Sequence, residues 1–257
     1  MEFVDQLNRT ITLTKPPLRV VSLVPSQTEL LIDLGLHKNI VGVTKFCVHP
    51  KSLRKEKTIV GGTKQVDFEK IKLLKPDIII CNKEENTEEM VLKLENIAPV
   101  WVSNIATISE SIEMILELGE IFEIKGKAFE IASNIELKLE DFKYFVKDFS
   151  SKKVLYLIWK NPYMAAGKKT FIDGLLQINN FENIIVEEKS RYPKVDIEVL
   201  KTAELILLST EPYPFKKADA VHLAKECNTE VKLVDGEFFS WYGSRLLKAF
   251  DYFKMLH

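Results

Sequence analysis

Rings and side-chain amides recur in this sequence where short apolar runs give way to turn residues. In the first half these places are Pro25-Ser26-Gln27-Thr28, Lys45-Phe46-Cys47, Thr63-Lys64-Gln65 and Lys83-Glu84. In the second half they are Trp159-Lys160-Asn161-Pro162-Tyr163, Arg191-Tyr192, Glu211-Pro212-Tyr213-Pro214-Phe215 and Phe238-Phe239-Ser240-Trp241-Tyr242. Aromatic rings with a few polar anchors suit a large, flat, partly apolar ligand such as a corrinoid or another tetrapyrrole. The expected ligand-facing set is Pro25, Ser26, Gln27, Lys45, Phe46, Cys47, Lys64, Gln65, Trp159, Asn161, Tyr163, Tyr192, Tyr213, Phe215, Phe239 and Trp241. Several of these rings, with Phe238 and Trp241 foremost, have a second reading as packing for a C-terminal helix.

Other chemistry finds less support. Cys47-Val48-His49 supplies at most two metal ligands where a zinc site needs three or four, and His37, His222 and His257 have no supporting spacing. No protein-ligated metal is expected. The sequence holds no Gly-rich phosphate loop, no Gly-x-Ser-x-Gly elbow and no His-Glu-x-x-His, so no catalytic residues are assigned and the chain reads as a non-enzyme with no intrinsic cofactor. Isolated carboxylates that could pair as acid and base keep an enzymatic reading open. With 36 Lys and Arg against 37 Asp and Glu, the net charge of -1 gives no general phosphate-binding surface and no nucleic-acid partner. Three cysteines without a close pair read as reduced thiols. The longest apolar runs, Ile78 to Cys81 and Val154 to Trp159, fall far short of a bilayer span. Met1-Glu2-Phe3-Val4-Asp5 carries acids where a secretory leader has basic residues, so the chain as written reads as staying in the cytoplasm.

The elements that must position these loops alternate. Leu18 to Val24, Ile40 to Val43, Asp77 to Cys81, Val100 to Val102, Lys153 to Trp159, Leu205 to Leu208 and Val231 to Val234 read as buried, mostly parallel strands. Helical patterns such as Ser26 to Leu34 and Phe68 to Leu74 lie between them, which gives an α/β chain. In open parallel sheets, ligands bind beyond the carboxyl ends of the strands, which is where the ring-bearing loops fall. From Ile108 to Phe149 the apolar residues recur every three or four positions with no strand inside. Gly126 is read as a break, leaving a helix to about Lys147 that suits a rigid strut between two lobes. Helices covering one face of a single sheet are the other reading of that stretch. Val66-Asp67-Phe68-Glu69 and Val195-Asp196-Ile197-Glu198 each precede a short helix and then a strand, an internal pseudo-repeat. Each Asp is expected to cap its helix, and each Glu to sit in the first turn where a carboxylate favours the helix dipole. The domains drawn from this are 1–105, an α/β lobe; 106–150, a helical connector with a long backbone helix; and 151–257, a second α/β lobe.

Asn8-Arg9-Thr10, Pro17 through Glu29, Gly35, Val41-Gly42-Val43-Thr44, Gly61-Gly62, Leu74 through Ile79, the long central helix and Trp241 through Leu247 follow one another in an order that resembles class III periplasmic substrate-binding proteins. These serve vitamin B12 and ferric-siderophore ABC importers, and the resemblance covers essentially the whole chain. It implies two lobes, each a mostly parallel sheet flanked by helices, joined by one long helix, with a ligand held between them. It also implies capture of a metal chelate, delivery to the transporter's membrane subunit, and a periplasmic or externally anchored location; a monomer is expected separately, since no extra apolar helix face is left over. By position in the motif, Glu69 and Glu198 become docking residues for basic groups of that subunit, beside their reading as helix-start carboxylates. A siderophore site is expected to cluster arginines, whereas these loops offer mainly Lys45, Lys64, Lys160 and Arg191. Cobalamin or a related corrinoid is therefore preferred. A ferric siderophore, haem, or a cytoplasmic corrinoid-binding role uncoupled from transport remain the alternatives.

Overall fold

The computed structural model of the chain describes residues 1–186 and 189–257. The chain divides into two compact units whose sequences interleave: Met1–Asn104, Ser109–Ile135 and Tyr242–Arg245 make the first, Ile105–Ile108, Glu136–Trp241 and Leu246–His257 the second. Residues 106–150, read above as a connector, are shared between the two.

The first unit opens with an antiparallel hairpin, β1 (Glu2–Val4) with β2 (Thr10–Thr12). The buried Asp5 organises its turn by accepting from the backbone of Leu7, Arg9 and Val102, while the Arg9 guanidinium returns to Asp5 at 2.7 Å. This accounts for Asn8-Arg9-Thr10, because Asn8 takes the left-handed conformation and Arg9 also reaches the carbonyl of Val100. Five parallel strands follow: β3 (Val20–Ser22), β4 (Ile40–Val43), β5 (Thr58–Ile59), β6 (Ile78–Asn82) and β7 (Val100–Ser103), in the order β5-β4-β3-β6-β7. Every residue of β6 is buried, as a central strand covered on both faces requires. The helices α1 (Pro25–Asp33), α2 (Leu53–Glu56), α3 (Phe68–Leu73) and α4 (Glu88–Leu94) alternate with the strands. The chain runs outward from β3 to β5 and then returns to β6, so the topological switch falls between β3 and β6. Gly61, at φ +134°, permits the tight turn to Val66, where a Cβ would lie 2.5 Å from the carbonyl oxygen of Gln65.

Two long helices come next, α5 (Ile108–Ile121) and α6 (Lys125–Val146). The break between them is not at Gly126, which lies inside α6 with open space around it. Glu123 makes the break, held left-handed at φ 56°, with Ile124 N–H donating to Gly119 and Glu123 N–H to Glu120. The helices then cross so closely that a Cβ on Gly119 would lie 2.3 Å from that of Ala128.

In the second unit the parallel strands β8 (Lys152–Trp159), β10 (Phe181–Asn183), β11 (Leu205–Ser209) and β12 (Glu230–Val234) take the order β10-β8-β11-β12, with the short β9 (Met164–Ala165) antiparallel to β8. Around them lie α7 (Phe171–Ile178), α8 (Ile197–Leu200), α9 (Lys217–Cys227), α10 (Gly236–Ser240) and α11 (Leu246–Lys254). Phe239 of α10 packs on Tyr156 at 5.0 Å and on Phe253 of α11 at 4.9 Å. The repeated tetrapeptides open equivalent elements. Asp67 caps α3 through Lys70 N–H, Asp196 caps α8 through Val199 N–H, and β6 and β11 follow.

Candidate functional site

At the strand ends of the first unit, Pro25 opens α1 and Gln27 lies fully buried in its first turn. The Gln27 amide donates to the Ser103 hydroxyl and, at 3.0 Å, to the Tyr242 hydroxyl. Asn82 donates to the same Ser103 oxygen at 2.9 Å. These residues form a polar floor at the switch between β3 and β6, and the carbonyl oxygen of Gln27 is buried in it with no partner among the described residues. Burial pushes the Tyr242 phenol up, so it stays protonated. The sequence reading placed Ser26 and Gln27 on the ligand-facing surface; both are enclosed, because the chain's late segment Tyr242–Arg245 belongs to this unit.

The loop after β4 separates its residues sharply. Phe46 is 48% exposed, and the Lys45 ammonium sits 5.1 Å from its ring centre. Cys47 is buried, its sulfur 3.2 Å from the Thr28 hydroxyl and 3.3 Å from that of Thr44. Burial raises its thiol, so Cys47 sits as a packed neutral group instead of facing outward as expected. Lys64 and Gln65 are exposed, and the Lys64 ammonium donates to the Glu84 carbonyl, tying neighbouring loops together. Beside it, burial pushes the Glu85 carboxyl up, opposed by Lys64.

The second unit builds a ladder of rings. Trp159, the last residue of β8, is 41% exposed and meets Tyr213 edge-on, centroids 5.5 Å apart. Tyr213 in turn meets Phe215 edge-on at 4.7 Å. Phe215 is buried, so it roots the ladder and does not itself face a ligand. Asn161 is exposed, held left-handed at φ 61°, and Tyr163 and Tyr192 are half-buried. Lys160 is engaged by Asp219 at 2.5 Å, a hydrogen bond that lowers the Asp219 carboxyl.

Two further expectations are corrected here. Phe239 is fully buried between Tyr156 and Phe253, and Trp241 is buried with its indole N–H donating to Glu211 at 3.0 Å. Phe239 thus packs on the C-terminal helix α11 through Phe253, and Trp241 is tied to the loop after β11 through Glu211. Sequence reasoning passed over the floor residues Asn82, Ser103 and Tyr242. The usable signal was polar residues at the very ends of apolar strands, Asn82 closing β6 and Ser103 closing β7.

Among the described residues no group of three or more His, Cys, Asp or Glu side chains is arranged to hold a metal ion. No helix among them is long and apolar enough to cross a membrane. Glu69 and Glu198 are both exposed in the first turns of α3 and α8, and Glu198 pairs with Lys201 at 2.8 Å.

Residues 20–226 match the profile of the family described as periplasmic binding protein. An ABC transporter substrate-binding lipoprotein of Bacillus subtilis (strain 168) is 26% identical over 259 aligned positions, covering 96% of this chain and 82% of its own length. Among solved structures, the periplasmic vitamin B12 binding protein of Vibrio cholerae superposes with a TM-score of 0.80 at 21% identity, over 93% of this chain and 96% of that one. A periplasmic heme binding protein from Pseudomonas aeruginosa gives 0.81, also at 21% identity, over 93% and 92%. At such identities the structural likeness speaks for the fold.

Proposed function

Because this chain belongs to the periplasmic binding protein family, we propose that it is the substrate-binding component of an ABC importer, capturing a corrinoid outside the cytoplasm and handing it to a membrane subunit. Its task is binding and delivery; it is not an enzyme.

The observation that carries the ligand choice is the ring ladder of the second unit, an exposed Trp159 braced edge-on by Tyr213 over the buried Phe215. A ring already held by its neighbours loses little freedom when a flat ligand stacks on it. The state of the cations argues in the same direction. Lys160 is bound to Asp219, Lys64 to the Glu84 carbonyl, Arg191 to the Lys169 carbonyl, and Lys45 lies against Phe46. A catecholate siderophore or the propionates of haem call for convergent, uncommitted cations, whereas a corrinoid with an amide periphery does not.

Titration of the purified protein with cobalamin, cobinamide, haem and several ferric siderophores tests the choice. Micromolar or tighter binding of a corrinoid, with haem and siderophores weaker, is expected. Haem or a siderophore binding while every corrinoid fails would replace the ligand and leave the capture role standing. We further infer that Glu69 and Glu198 dock the membrane subunit, as exposed carboxylates at the starts of equivalent helices in the two units.

A further inference from the structure

Away from the strand ends, the second unit carries a groove of about 530 Å³ bounded by α6 and α7, within the size range of small-molecule sites. Its floor is apolar, built from Ile108, Leu139, Val146, Phe171, Leu175 and Ile178. Among the described residues its charged lining is of one sign: Lys143 and Lys147 border it, and no carboxylate does. On the last turn of α6 Tyr144 is 70% exposed, whereas Phe145 and Phe149 pack on His257 at 6.1 and 5.0 Å. Phe145 lies 5.2 Å from Phe149, and the Lys147 ammonium sits 3.7 Å over the Tyr144 ring.

An apolar trough, a cationic rim and an exposed ring, Tyr144, under the rim's Lys147 meet three requirements of one environment, the boundary between lipid headgroups and acyl chains. There an apolar chain leaves water, phosphate meets ammonium, and aromatic rings rest at headgroup level. Lys143 is paired with Glu140 at 2.7 Å, but that pair is solvent-exposed and spans one turn of the same helix, so it exchanges readily for a stronger anion. We propose that this face binds an anionic phospholipid, one acyl chain lying in the groove and the phosphate resting on Lys143 and Lys147. The proposal stands apart from the identity of the transported ligand.

Vesicle flotation of the full chain at low salt tests it. Binding is expected to phosphatidylcholine vesicles containing phosphatidylglycerol and not to phosphatidylcholine alone, declining as salt is added. The K143E/K147E variant is expected to lose at least about tenfold in affinity, the scale set by two lysines against an anionic surface. K51E/K55E, an equal charge change in the first unit, is expected to keep its binding. A Leu139→Trp reporter is expected to be quenched by brominated acyl chains beyond the level of the parent protein. Absence of flotation, equal losses in the two double variants, or no added quenching would each overturn the proposal. Unchanged thermal midpoints in the lysine variants would exclude misfolding as the cause of any loss, and K143Q/K147Q is the milder substitute should the charge reversal unfold.

Discussion

At the scale of single residues, adjacent positions in one loop do opposite things. Phe46 faces out while Cys47 is captured by the hydroxyls of Thr28 and Thr44, and nothing in the local sequence separates them. The loops were legible because strand ends are legible. Inside and outside were not, because partners such as Tyr242 for Gln27 arrive from far along the chain. Trp159 is the residue whose role is most directly measurable. Trp159→Ala is expected to weaken binding of the proposed corrinoid by about 1–3 kcal/mol, the range for loss of a stacking ring, with Trp159→Phe recovering much of it. Calorimetric titration decides, and an unchanged affinity would return the ring to a packing role. Glu117 on α5 carries a different consequence. Burial, followed by the nearby Glu113, Asp5 and Glu120, pushes its carboxyl up to about 7. The folded chain therefore holds this proton through a range, roughly pH 4 to 7, in which the unfolded chain has released it. Stability from this group is present at low pH and is lost as pH rises through 7. Glu117→Gln is expected to raise the thermal midpoint at pH 8 and to flatten its decline between pH 5 and 7, and melts across that range would expose an unchanged slope.

At the scale of elements, long apolar strands and capped helices announced themselves. Of the twelve strands among the described residues, β3, β4, β6, β7, β8, β11 and β12 lie where apolar runs placed them, and the Asp67 and Asp196 caps are where the repeated tetrapeptide put them. The hairpin strands β1 and β2, together with β5, β9 and β10, were not legible, since two or three residues carry no measurable periodicity. The break after α5 was misread for an instructive reason. A glycine three residues on drew attention, while the left-handed position itself is filled by Glu123, a residue type with no preference for it. The glycine that matters at this junction is Gly119, whose missing side chain lets Ala128 approach. Gly119→Ala forces two methyl groups into one space and is expected to cost about 1–3 kcal/mol in urea unfolding, despite the better helix propensity of Ala. A neutral or stabilising result would mean that the two helices separate without cost.

At the scale of the whole molecule, each unit carries an exposed Glu at the start of an equivalent helix. Charge pairs on an exposed rim govern encounter and orientation more than ligand affinity. On the proposed docking role, the double variant E69K/E198K is expected to lose assembly with the membrane subunit in nanodiscs while its affinity for the proposed corrinoid stays unchanged, and undiminished assembly would refute that role. Interleaving of the units has a energetic side as well. Arg245 holds Glu29 through two hydrogen bonds at 2.8 and 2.9 Å, with both side chains nearly enclosed. Arg245→Ala strands a buried carboxylate and is expected to cost about 3–5 kcal/mol by chemical denaturation, whereas replacing both partners with Met should cost much less. Equal losses in the single and double variants would mean that the pair is not what stabilises the contact.

Synthesis order gives that ion pair another meaning. The first unit is translated early, yet four of its residues, Tyr242–Arg245, emerge only after the whole of Glu136–Trp241. Until then Glu29 has no counter-charge and Gln27 no phenol to receive its proton, so a nascent chain halted before Tyr242 holds an unfinished first unit. Domains usually close in the order in which they leave the ribosome. Here the first is completed only when Arg245 has emerged, shortly before Leu246–His257 completes the second.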